Sequence, residues 1–378
     1  MGAVDLLFCR IMPKPVRKPG AIGYGVWESE MRRVIIGHNQ TITRQVCLPV
    51  LGNIKVRAGE HVDFGDLIAE TTLPARFEMI DIPNHFNVNP EEADTMIKRL
   101  VGDVIAKGDV LAQKDGFITQ LFRSPGDGKL VSLREGRITL ALGQEKMQVF
   151  APMPGMVAEL IDGRGAVITL TGSVVESSWG NGKRAQGELI FWGELEKKGL
   201  GIASALVKDK IIVFKKAATA GQLRRVLRLK PAGLILPSIN PEQLKSTRES
   251  DVAVLSLLGF GELRMDVASL ELIESMSGQT VYIVAQENTI GPRENPLLML
   301  PKEKKADLGF YKEETKLAPG LRVRLRGEPY TGMVGIVMGL PSEEMVFASG
   351  LQSPSVVVIC EGDQMINASI HNIDLIQS

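Results

Sequence analysis

Residues 54–158 repeat themselves in two ways, and this double repeat restricts that span to short strands and tight turns. Residues 59–69 (GEHVDFGDLIA) recur as residues 102–112 (GDVIAKGDVLA), with glycines, acids and apolar positions in register. The octapeptide Ser124-Pro125-Gly126-Asp127-Gly128-Lys129-Leu130-Val131 recurs as Ala151-Pro152-Met153-Pro154-Gly155-Met156-Val157-Ala158, with the proline and the later glycine aligned. A glycine followed by an acid forms a tight turn, an apolar residue enters a short strand, and a second glycine and acid then turn the chain again. The two Gly-acid units are expected to pair with each other by pseudo-symmetry into one small closed β structure. His61 stands where its repeat partner is Val104, which marks a tolerant surface position.

This pattern, with Ala151, Pro152, Pro154, Gly155 and Val157 in its second half, resembles the barrel-sandwich hybrid of biotinyl and lipoyl carrier domains. Carriers present their modified lysine in a hairpin between the two halves, usually within Met-Lys-Met. Here the segment after Ala69 reads Glu70-Thr71-Thr72-Leu73-Pro74-Ala75, so the resemblance implies the fold without its cargo, used as a spacer or docking surface. Lys146, in Glu145-Lys146-Met147, precedes the Ala-Pro segment and reads as an ordinary surface lysine. The domain is expected over 48–198. Within it, Asn89 caps a short helix with Pro90 at its first position and Ala93, Met96, Ile97 and Leu100 on one apolar stripe.

At 378 residues the chain is too long for a single core. Its 44 basic and 44 acidic side chains cancel, so no global field draws it to nucleic acid or anionic membrane, and any such affinity must be local. Cys9, Cys47 and Cys360 are scattered and odd in number, which argues for a reducing compartment. With no apolar run near the ~20 residues that span a bilayer, the expectation is a cytoplasmic protein without membrane contact. Residues 1–47 read as a Pro/Gly-rich arm, carrying Lys14, Arg17 and Lys18, followed by leading strands.

Residues 202–286 change period. Strands at 210–214, 233–236, 252–258 and 280–284 alternate with helices starting at Thr219, Asn240 and Asp266, the pattern of a small, mostly parallel α/β domain. Ligands of such sheets sit beyond the strand C-termini, which singles out Ser238 and Asn240 after one strand and Gly259, Gly261 and Arg264 after the next. Neither stretch is a nucleotide fingerprint: the Gly259 segment lacks the third glycine. Asn181-Gly182, before Lys183 and Arg184, reads as a hairpin turn and fails as a phosphate loop, since Ser177 replaces its first glycine and Arg184 its hydroxyl residue. The helix from Thr219 carries Arg224, Arg225, Arg228 and Lys230 away from its apolar positions, most simply as a solvated face.

Residues 287–319, rich in proline and charge, read as a linker. Beyond it, 320–378 alternates like a small β barrel, and residues 322–337 resemble the KOW motif of SH3-like barrels in ribosomal proteins and transcription elongation factors. That resemblance implies contact with RNA, ribosome or polymerase. Period-2 alternation puts Arg322, Arg324 and Arg326 on one face, where with Tyr330 they are positioned to hold phosphates and stack a base. His38, His61, His85 and His371 show no metal-ligand spacing, and no nucleophile motif is present, so no catalytic residue, metal or cofactor is assigned.

The expected fold class is therefore multidomain and mainly β, a barrel-sandwich hybrid plus an SH3-like barrel with a small α/β domain between them. The leading function is docking within a protein assembly or on nucleic acid. The alternatives are a ligand-sensing or enzyme subunit using the α/β strand ends, and a structural unit of a homo-oligomeric assembly.

Overall fold

The computed structural model describes residues 33–197, 204–285, 294–302, 317–341 and 344–377. The arm at 1–32, and most of the expected linker, lie outside them. The chain is mainly β with a large mixed sheet. Strand Gly165–Glu176 is its spine, antiparallel to Arg33–Cys47 along one side. Its other side takes Gly155–Ile161 at one end and Leu297–Pro301 at the other. The strand Leu297–Pro301 falls inside the expected linker; its Leu297, Leu298 and Met299 are fully buried, and this apolar run outweighs the prolines around it.

From Leu297–Pro301 the sheet continues through Thr280–Val284 and Arg184–Phe191, then in parallel through Lys210–Val213, Gly233–Leu236 and Ala253–Ser256. The expected α/β alternation holds here, and local capping explains why. Thr219 accepts from the Gln222 N–H while the Gln222 side chain returns to the Thr219 N–H, and Asp266 accepts from the Ser269 N–H. Helix Ala220–Leu229 buries Leu223 and Val226 against one face of the parallel strands. Helix Val267–Ser275 buries Leu272 and Ile273 against the other.

The Asn181 loop is not the expected hairpin. Trp179–Gly180 pairs with Ala253–Ser256 while Arg184–Phe191 pairs elsewhere, and the Asn181 side chain ties the corner to Thr247, Val252 and Val254 backbone. Arg184 donates to the carbonyls of Phe150 and Ala151 and lies over the Phe64 and Phe150 rings, and Lys183 pairs with Asp251, so neither is an open anion contact.

The two Gly-acid repeats do not pair with each other. Each pairs with its own proline-glycine segment. In the first unit Gly59 donates to Val157 O, Val157 to Glu60 O, Gly65 to Ala151 O and Ala151 to Asp66 O. In the second, Gly102 donates to Leu130 O, Leu130 to Asp103 O, Gly108 to Ser124 O and Ser124 to Asp109 O. The pattern is the same, bond for bond. Gly128 and Gly155 hold equivalent places where strands cross closely: an added Cβ would sit 2.1 Å from Ala141 O and 2.5 Å from Thr169 O.

One unit is nested in the other. The outer unit's ladder, Leu67–Leu73 against Glu145–Phe150, opens after Leu73, and the inner unit fills the gap before Glu145. The inner unit has its own sheet, in which Arg76–Asp81, Arg137–Leu142, Gly128–Arg134 and Val104–Ile105 lie side by side, and its own core of Ile82, Phe86, Leu111, Leu130, Ile138 and Leu140. The expected 48–198 domain thus resolves into two bodies, with Arg33–Cys47 belonging to the outer one. The short helix Pro90–Met96, capped by Asn89 as expected, packs in the inner body. A C-terminal β unit, Arg322–Leu325 through Ile373–Gln377, joins the large sheet where Ile373–Gln377 runs parallel to the start of Arg33–Cys47.

Candidate functional site

Arg324 is not on an open face. It is 1% exposed. Its strand turns one side to the C-terminal core through Val323 and Leu325, and the other side is covered by the α/β unit. There its guanidinium donates through Nη2 to Asp374 Oδ2 at 2.9 Å and through Nη1 to Asp266 Oδ2 at 3.3 Å. Asp266 is also the cap of helix Val267–Ser275, so one buried arginine joins two units of the fold. Removing the guanidinium would strand two buried carboxylates. Arg322 is exposed, the Arg326 side chain is 39% exposed, and Tyr330 is half-buried against the C-terminal core. The expected row of three guanidiniums is therefore broken at its centre.

The α/β strand-end residues come together, but they bond to one another. Ser238 Oγ donates to Gly261 O and accepts from the Leu263 N–H, and Asn240 donates to Glu262. The carbonyl of Gly259 accepts from the Ile239 N–H. Arg264 is exposed and its backbone forms a bridge with Lys216. These bonds tie the two strand-end loops to each other.

A cleft of about 180 Å³ opens one step away, between the Leu258 and Phe260 loop and the C-terminal unit. Arg324, Arg326, Glu328 and Asp374 line it. Sequence reasoning missed Asp374; the signal was an acid flanked by Ile373 and Leu375 in an apolar strand.

A second feature lies on the inner β unit. The turn around Gly102 exposes Leu100, Val101 and Val104, the last at 83%. Val131 beside it is also exposed. At the matching, equally exposed positions the outer unit has Arg57, Ala58 and His61. The backbone is the same in both: Asp103 accepts from the Leu100 N–H as Glu60 accepts from the Arg57 N–H. Nothing in turn geometry requires the apolar set. The inner unit further exposes Phe77 and Met79 on its outer sheet face, and Phe117 and Ile118 at the tip joining Val110–Lys114 to Gln120–Arg123. Lys146 is ion-paired to Glu70, as is Lys55.

No protein-family model matches the chain, and no curated protein matches it. No helix among the described residues is long and apolar enough to cross a membrane.

Proposed function

We propose that this chain is a non-enzymatic docking protein whose inner β unit carries the partner contact. In this reading both nested units are barrel-sandwich hybrids without cargo, and the C-terminal unit is an SH3-like barrel that braces the α/β unit. One observation carries the proposal: at exposed positions with the same backbone, the outer unit has Arg57, Ala58 and His61 and the inner unit has Leu100, Val101 and Val104. Apolar groups kept in water without a packing role mark a contact surface. A protein partner fits better than nucleic acid, since Arg324 is taken up by Asp266 and Asp374 and the apolar turn offers no phosphate ligand.

The test exchanges the inner turn for the outer one, Leu100→Arg, Val101→Ala and Val104→His. Wild-type and exchanged protein, tagged, are captured from their own cells with and without nuclease and compared by mass spectrometry. The expected result is a nuclease-resistant partner set that the exchange removes. Partners that survive the exchange but disappear with nuclease, or with Arg322→Ala and Arg326→Ala, overturn the proposal in favour of nucleic-acid docking.

A further inference from the structure

Among the described residues, Asp374 Oδ1 is the buried carboxylate oxygen without a hydrogen bond. Asp374 is 0% exposed and lines the cleft between the α/β and C-terminal units. We propose that this cleft binds the cationic head of a small alkylammonium or alkylguanidinium compound, a site separate from the docking turn and independent of it.

The first support is the orphan oxygen itself. A buried acceptor left unpaired costs free energy, more so when charged. Oδ2 is satisfied by Arg324, whereas Oδ1 has only Arg326, whose Nε lies at 3.8 Å, outside hydrogen-bond reach. Arg326 is ion-paired with the oxygen at that distance but does not hydrogen-bond it. An incoming N–H donor with a shorter reach would displace that exposed side chain and complete the carboxylate.

The unpaired oxygen decides the sign of the ligand. The cleft is lined by two acids, Asp374 and Glu328, and two arginines, Arg324 and Arg326, and a bare carboxylate oxygen accepts only from a donor such as an N–H. Arg324 donates from Nε and Nη2 to Asp374 and from Nη1 to Asp266 and is 1% exposed, so little of it is open to an anion. Glu328 is exposed at the rim and adds a second carboxylate for the same head group.

Size and walls decide the rest. About 180 Å³ is well below the ~300–1,000 Å³ of sites for drug-sized ligands, so the occupant is small. The cleft is mostly polar, and Leu258 with the half-exposed Phe260 supplies a small apolar patch, enough for a short alkyl chain. A free amine and an arginine side chain from a partner present the same chemistry, and the choice of probe separates them.

The experiment titrates the full chain at low salt with butylamine, agmatine and N-acetylarginine amide, with butyrate as the anionic control, followed by calorimetry and amide NMR. Saturable binding of the cations with no binding of butyrate is expected. Tighter binding of N-acetylarginine amide than of agmatine assigns the site to a partner's side chain, and the reverse to a free amine. Glu328→Gln weakens binding by about two- to fivefold, the size of an exposed ion pair. Arg326→Ala tightens it by a similar factor, because the competing cation is gone. Asp374→Asn abolishes it, but also releases Arg324, so the two exposed-side-chain variants decide. Absence of saturation, equal binding of butyrate, or Arg326→Ala binding no more tightly than wild type overturns the proposal and leaves an ordered water as the partner of Oδ1.

Discussion

The inner and outer β units share turns, caps and crossing glycines, yet they face different surroundings. In the outer unit Ile68, Ala151, Met153 and Val157 join a core that also contains Val284, Leu297 and Met299 from the large sheet. In the inner unit every core residue lies within the insertion. The outer unit is thus built into the body, and its exposed turn is polar. The inner unit is built on itself, and its turn is apolar. Local backbone is therefore set by the repeated residues, while surface chemistry follows the positions that the repeat leaves free.

The largest expected effect separates the two cores. Ile68 and Leu111 are repeat equivalents, both 0% exposed. Ile68→Ala and Leu111→Ala should each cost about 2–5 kcal/mol. Calorimetry should show Ile68→Ala lowering the main unfolding transition and Leu111→Ala lowering a separate one that belongs to the inner unit. A single shared transition for both variants would erase the distinction. Next in size are the crossing glycines: Gly155→Ala and Gly128→Ala push a methyl into a carbonyl oxygen, at about 1–3 kcal/mol each, read from denaturant midpoints. Unequal costs would show that the two crossings differ more than their hydrogen bonds do.

The smallest effect is the pH dependence that Glu70 gives the outer unit. Lys146 first, then Lys55 and Gln148, hold the Glu70 carboxyl down at about 2, against an ordinary value of 4.5. Because the folded value is the lower one, its contribution to stability is complete above about 4.5 and is lost as pH falls toward 2. The inner unit has Gln113 at the matching position. Thermal unfolding between about pH 5 and pH 2 should drop less steeply for Glu70→Gln than for wild type in the main transition, with the inner transition the same in both proteins.

How far the sequence could be read depended on distance along the chain. Helix starts at Thr219 and Asp266 were legible because a cap and the N–H that donates to it lie three residues apart. The Gly-acid turns were legible for the same reason. Their pairing was not, since a repeat that pairs with its copy and one that pairs with a proline-glycine segment have the same turn chemistry. Alternation groups Arg322, Arg324 and Arg326 on one face, but the strand ends at Leu325 and alternation cannot say what covers that face. The covering acids, Asp266 and Asp374, stand 58 and 50 residues away. Strand Leu297–Pro301 was hidden by averaging over a segment whose flanks are rich in proline and charge. At the strand ends of Ser238 and Gly261 the sequence showed the topology but not that these polar groups bond to each other across 23 residues.

Nesting also sets an order of events as the chain is made. The contacts of the inner unit close a short loop, whereas those of the outer unit, from Gly59 to Val157, must close a loop containing the whole inner unit. Closure entropy rises with loop length, so the second step is unfavourable while residues 74–144 remain a coil. Once they have folded, Leu73 and Glu145 emerge side by side, and the long loop is shortened to the span of a hairpin. The insertion thereby acts as a tether that brings the two halves of its host together, and it can do so during synthesis, before Val157 has left the ribosome.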